Sequence, residues 1–107
     1  MTRSTPRSAA ILVHGKRAGT LTELGGGAFI VQYKPGYAGA PISLTLPVRP
    51  EPYPFERFPA FFDGLLPEGW QLEALLRAEK FDATDYMGQL LAVGQDTVGA
   101  VTVEPLP

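Results

Sequence analysis

The chain has 107 residues, 45% of them hydrophobic and 19% charged, with a net charge of −2 and no cysteine. This is a globular composition sized for one domain, residues 1–107, and not a disordered one. The missing thiols exclude a disulfide framework and any cysteine nucleophile or metal ligand, and the nine scattered lysines and arginines give no nucleic-acid footprint.

The opening "MTRSTPRSAAILVHGKRAG" carries two early arginines, but its apolar run, Ala9 to Val13, is too short for a signal peptide or a membrane span. It reads as a ragged start leading into a first strand, "AAILVH", followed by a tight turn at Gly15-Lys16 and a second strand, "RAGTLTEL". Gly25-Gly26-Gly27 breaks the pattern and "AFIVQY" resumes it, so the first part is a three-stranded meander. After the loop "KPGYAGAP", the alternation in "ISLTLP" predicts a fourth extended segment. The proline spacing of "PVRPEPYPFERFP" forbids both helix and central strand, and predicts an extended connection pinned to the body by Tyr53, Phe55 and Phe58.

The second half reads as helical. After the aromatic run and turn of "FFDGLLP", a helix is expected over Glu68–Glu79, with Pro67 just before it, where proline is tolerated. A further helix is expected in "DATDYMGQLLAVG", with start residues in Asp82, Thr84 and Asp85. Its apolar face is Tyr86, Met87, Leu90 and Leu91, and Gly94 stands at the C′ position. "DTVGAVTVEP" reads as a last strand returning to the sheet. The fold class is therefore α+β: a small antiparallel β-sheet, built from the N-terminal meander plus the C-terminal strand, with two main helices packed on it.

The search for catalytic chemistry is mostly negative. His14, the only histidine, sits at a strand end without a partner motif and reads as a surface or structural residue. The triple glycine is not followed by Gly-Lys-Ser/Thr, so it is no phosphate loop. No acidic cluster has metal-ligand spacing. Asp63, Asp96 and Glu68 can be set out as an acid–base group, but aspartate in such contexts more often bonds turn amides. No catalytic residue, cofactor or metal is expected.

The single tryptophan carries more information. With Trp70 at zero on a helical wheel, Leu72, Leu75 and Leu76 fall at about 200°, 140° and 240°. The leucine stripe is opposite Trp70, which is flanked by Glu73, Ala74 and Arg77. Either Trp70 folds back over "PYPFERF", or it projects as an anchor for a partner protein, a role tryptophan fills often because it buries a large rigid area. The second reading makes Glu68, Gly69, Trp70, Glu73 and Arg77 the candidate partner-binding residues.

Five landmarks carry a resemblance over nearly the whole chain: "GTLTEL" (19–24), Tyr33 in "VQYKPGY", "ISLTLP" (42–47), "FFDGLLPEG" (61–69) and "VGQDTVGAV" (93–101). Together they resemble the N-terminal subdomain of HipA-type serine/threonine kinases, the toxins of bacterial toxin–antitoxin systems. In that family the subdomain precedes a kinase core in one polypeptide. Here the sequence stops after the "GAVTVEP" strand, before any nucleotide-binding lysine, catalytic aspartate or metal-binding element, so no kinase activity is expected of it. A subdomain of this kind encoded alone is similar to the HipS-type antitoxins of split, three-gene HipBST systems. The resemblance implies an antitoxin that binds and inhibits a separate HipT-like serine/threonine kinase, with a HipB-like DNA-binding protein as a third member of the complex. It also implies a cytoplasmic protein with no membrane or direct nucleic-acid contact. An accessory subunit that completes the kinase, or a remnant of a longer kinase, are the other readings the resemblance leaves open.

Overall fold

The computed structural model describes residues 7–66, 69–79, 84–96 and 99–106. Five strands form one antiparallel sheet: β1 (Ser8–Val13), β2 (Lys16–Glu23), β3 (Phe29–Tyr33), β4 (Tyr53–Phe55) and β5 (Val101–Pro105), in the spatial order β4-β3-β2-β1-β5. Three helices, α1 (Ala60–Asp63), α2 (Gly69–Glu79) and α3 (Tyr86–Val93), lie between β4 and β5 in the chain. The α+β class and the return of the last strand to the meander are as the sequence predicts.

Register explains the core. Ala9 pairs with Leu21, Leu21 with Val31 and Val31 with Tyr53, while Ile11 pairs with Val103 and Val13 with Val101. Alternate residues of a strand take opposite faces, so these residues share one face. All but the half-buried Tyr53 are buried there, together with Phe62 of α1 and Met87 and Leu90 of α3.

Several local expectations are corrected. The first hairpin turns at His14-Gly15, one residue earlier than expected, with Val13 paired to Lys16. Both loop residues have positive φ, 51° and 79°, the requirement of a two-residue turn whose twist matches the flanking strands. One extra residue, Ala18, is inserted where the register shifts between Ile11 and Leu12. It is fully buried, and its carbonyl accepts from Lys34 N–H at 2.8 Å.

"ISLTLP" is not a strand but a tight turn, with Ser43 bridged to Leu46. The Tyr33 hydroxyl closes it, accepting from Ile42 N–H at 2.8 Å and donating to the Leu46 carbonyl. Ile42 and Leu46 are buried, whereas Leu44 at the tip is 95% exposed. The proline-rich stretch, expected as a connection only, contributes β4. Pro54 is tolerated there because an edge strand needs backbone donors on one side alone. Tyr53, Phe55 and Phe58 do pin it to the core. The segment 61–63, read as an aromatic run, is helical within α1, and its Phe62 ring meets Phe61 and Phe58 edge-on.

In α3, Asp85 is the N-cap and accepts from Gly88 N–H at 3.0 Å. Met87 and Leu90 are buried and Leu91 half-buried as expected, but Tyr86 is 41% exposed, its ring 5.6 Å from that of Phe58. Gly94 does not end the helix in the left-handed region expected of a C′ residue, since its φ is −61°. It is needed for space: a Cβ there would stand 2.6 Å from the Val103 carbonyl oxygen of β5. Asp82 lies outside the described residues.

An ionic tie that the sequence did not announce joins the sheet to α3. Arg7 Nε and Nη2 bond Glu23 Oε1 and Oε2 at 2.8 and 2.9 Å, and Nη2 also reaches Asp85 Oδ1 at 2.6 Å. Glu23 and then Asp85 hold the Arg7 guanidinium above its ordinary range against the opposing effect of burial. All three side chains are less than one quarter exposed. Arg7→Ala is expected to cost roughly 2–4 kcal/mol in urea denaturation, because two largely buried carboxylates each lose a charged partner. Arg7→Lys is expected to recover only part, lacking the bidentate fork.

Burial pushes the Tyr33 phenol above its ordinary value of 10.0. The folded chain therefore holds this proton more tightly than the unfolded one, so the associated stability is complete below about pH 10 and falls as pH rises beyond it. Tyr33→Phe is expected to cost about 1–3 kcal/mol at neutral pH by orphaning the Ile42 and Leu46 backbone groups. It should also flatten the decline in stability above about pH 10, measured by denaturant melts over an alkaline series.

Candidate partner-binding surface

The helix expected over Glu68–Glu79 is observed as α2, Gly69–Glu79. At positions 71–78 the pattern of burial follows the wheel the sequence lays out. Leu72, Leu75 and Leu76 are the half-buried positions, while Gln71, Glu73, Ala74, Arg77 and Ala78 are exposed. Glu73 and Arg77 share the face on which helical periodicity places Trp70. They stand four residues apart, in the order that favours attraction along a helix, yet they form no ion pair with each other or with any described residue. Gly69 and Trp70 are in the first turn of the helix, but their side chains, and all of Glu68, lie outside the described residues.

The stripe itself is shallower than a core stripe. Leu72, Leu75 and Leu76 do not belong to the buried cluster or to the half-buried residues packed against it. By contrast α3 places Met87 and Leu90 at 1% and 0% exposure. Thus α2 contributes little to the central core, and both its faces retain accessible surface.

The remaining sequence candidates do not gather. His14 is exposed at the hairpin tip, where its backbone N–H donates to the Ala100 carbonyl at 2.9 Å. Asp63 is exposed at the end of α1, and the side chain of Asp96 lies outside the described residues. Among the described residues no three of His, Asp or Glu approach as a metal site would require, and no helix is long and apolar enough to cross a membrane.

One feature escapes a linear reading. Arg17, Lys34 and Arg49 are far apart in sequence, yet the fold brings them to one end of the sheet, around an open trough beside Tyr33. Only the pairing of β2 with β3 and the course of the proline-rich segment place them together, so no local motif announces it.

The geometry is that of a small antiparallel sheet closed by its own last strand, with a peripheral helix offering an exposed polar face. The chain belongs to the HipA N-terminal domain family, whose model matches residues 9–104. A solved structure described as the N-terminal domain of HipA toxin is similar with a TM-score of 0.76 and 28% identity, covering 99% of this chain and 98% of that one. A protein of Haemophilus influenzae strain Rd, described as an uncharacterized protein, is 31% identical over 102 residues, or 95% of each chain. The family relationship sets the chain in a HipA-related toxin–antitoxin context.

The peripheral position of α2 has a measurable consequence. Leu75→Ala is expected to cost only about 1 kcal/mol in urea denaturation, since the site is half-open and little cavity is left, whereas Leu90→Ala should cost roughly 2–5 kcal/mol.

Proposed function

We propose that this chain is a non-catalytic antitoxin of a HipBST-like system, acting in the cytoplasm by binding and inhibiting a HipT-like serine/threonine kinase. A HipB-like DNA-binding protein would complete the assembly. The observation that carries this reading is the family match together with the Haemophilus influenzae relative. The HipA N-terminal domain accounts for residues 9–104 here, and that relative is matched over 95% of its own length. A domain that otherwise forms the front of a HipA toxin is thus nearly the whole of that relative, and such a domain supplies a binding surface suited to a kinase core.

The face of α2 bearing Trp70, Glu73 and Arg77 is the surface we assign to the kinase, with Glu68 and Gly69 at its approach. Glu73 and Arg77 have no partner within the described chain, and the leucines opposite are not needed by the central core. Trp70 would enter a pocket near the kinase active site and oppose its closed, productive state. A tryptophan at the centre of an interface is worth on the order of 2–4 kcal/mol of binding.

The test is to co-express the chain with a HipT-like kinase, purify the complex and measure phosphorylation. Inhibition by the wild-type chain, and growth restored in cells expressing the kinase, are the expected results. Trp70→Ala should weaken binding by about 2–4 kcal/mol while leaving the thermal midpoint nearly unchanged. Faster phosphorylation in the presence of the chain would overturn the antitoxin reading in favour of an accessory subunit. A Trp70→Ala variant that unfolds, but whose folded fraction still inhibits normally, would show that Trp70 serves packing.

A further inference from the structure

Two concavities meet at the end of the sheet where β3 gives way to the loop after Tyr33. One, of about 280 Å³, lies between that loop and the proline-rich segment and is lined by Lys34, Tyr37, Val48 and Arg49. The other, of about 580 Å³, continues across β2 and β3 past Arg17. They share Gln32, Tyr33, Lys34 and Pro35 and form one trough. Three cations line it and no carboxylate does, on a chain whose net charge is −2.

No carboxylate of the described residues pairs with these cations. The ion pairs among the described residues are those of Arg7, and Arg17 and Lys34 are exposed and unpaired. Arg49 is held in place by its own segment. Its guanidinium stacks 3.6 Å from the Tyr53 ring centroid, Nε donates to the Glu51 carbonyl at 3.1 Å, and Nη2 donates to the Pro52 carbonyl at 2.9 Å. Nη1 makes no hydrogen bond among the described residues. A charge fixed in advance loses little freedom on binding, and a guanidinium fork suits a carboxylate better than an ammonium does. The floor is equally stiff: Tyr33 stacks on Tyr37 at 5.7 Å, and its hydroxyl is spent on Ile42 and Leu46.

We infer that this trough receives an acidic, extended segment of the kinase partner, with Arg17, Lys34 and Arg49 pairing its carboxylates and Tyr37 and Val48 contacting its apolar residues. The spread of the three cations over two adjoining concavities, with Tyr37 and Val48 among the lining residues, favours a peptide over a single anion. The inference takes its partner from the antitoxin reading, but it concerns a surface separate from the Trp70 face. It assigns the trough to the rate and selectivity of association, the quantities that exposed complementary charge governs.

The experiment measures association of the full chain with the purified kinase at low and high salt. Lys34→Glu is expected to slow association roughly tenfold at low ionic strength, with the difference shrinking as salt screens it. Arg57→Glu makes the same change in net charge at an exposed position outside the trough and should have little effect. Trp70→Ala should raise dissociation rather than slow association. Equal slowing by Lys34→Glu and Arg57→Glu, or none by either, while the wild type binds, would overturn the trough inference alone. Failure of the wild-type chain to bind the kinase at all would overturn the antitoxin reading and the trough inference with it.

Discussion

The pairing of β5 with β1 is the constraint on which the rest of the structure depends. It sets Ile11 against Val103 and Val13 against Val101, and so makes β1, otherwise an edge, an interior strand. Each buried aliphatic side chain on such a strand contributes about 1.5–3 kcal/mol relative to exposure. Neither helices nor turns can supply this contact, because it joins the two ends of the sequence. It also positions α3, which lies against the returning strand through Gly94, where only a hydrogen fits beside the Val103 carbonyl. The ionic tie of Arg7 to Glu23 and Asp85 then fixes the other end of α3 to the sheet. The helix is thus held at its start by charge and at its end by close backbone approach.

The parts of this fold that were legible in the sequence are those set by local periodicity. β1, β2 and β3 alternate and are separated by glycine turns, and α3 carries its apolar face and its Asp85 cap on neighbouring residues. The misread parts are set by distant partners. Ile-Ser-Leu-Thr-Leu alternates as well as any strand, yet it turns because a hydroxyl nine residues before Ile42 bridges its two ends. Pro54 rightly excluded a central strand, but the open edge of β3 was not visible in the local pattern. Gly94 was identified as a required glycine for the wrong reason, because a neighbour across space, not a dihedral, makes the demand.

The same distinction governs the candidate surfaces. Helical periodicity alone separates Glu73 and Arg77 from the leucine stripe, and the exposure of the two faces follows it. The cations of the trough have no such pattern. Arg17 and Lys34 flank the buried Ala18 insertion, whose carbonyl receives the Lys34 N–H, and Arg49 arrives from a segment whose course is dictated by prolines. Local pattern finds a surface carried by one element; a surface assembled from three requires the topology.

The demands of folding are also divided unevenly between elements. The sheet, α1 and α3 hold the buried cluster, so substitutions there act on folding before they act on anything else. In α2 the leucines are only half-buried and stand apart from that cluster, so the fold places weak demands on the helix. A helix under weak packing demand can vary its exposed residues, Glu73 and Arg77 among them, at little expense to folding. The trough follows the same rule by a different route. Its backbone is stiff because Tyr33 and the insertion at Ala18 belong to the core, while Arg17 and Lys34 project from that backbone without any folding role. Rigid support beneath unpaired side chains lowers the entropy lost on association. It is also what allows charge at this end of the sheet to be altered without altering the sheet.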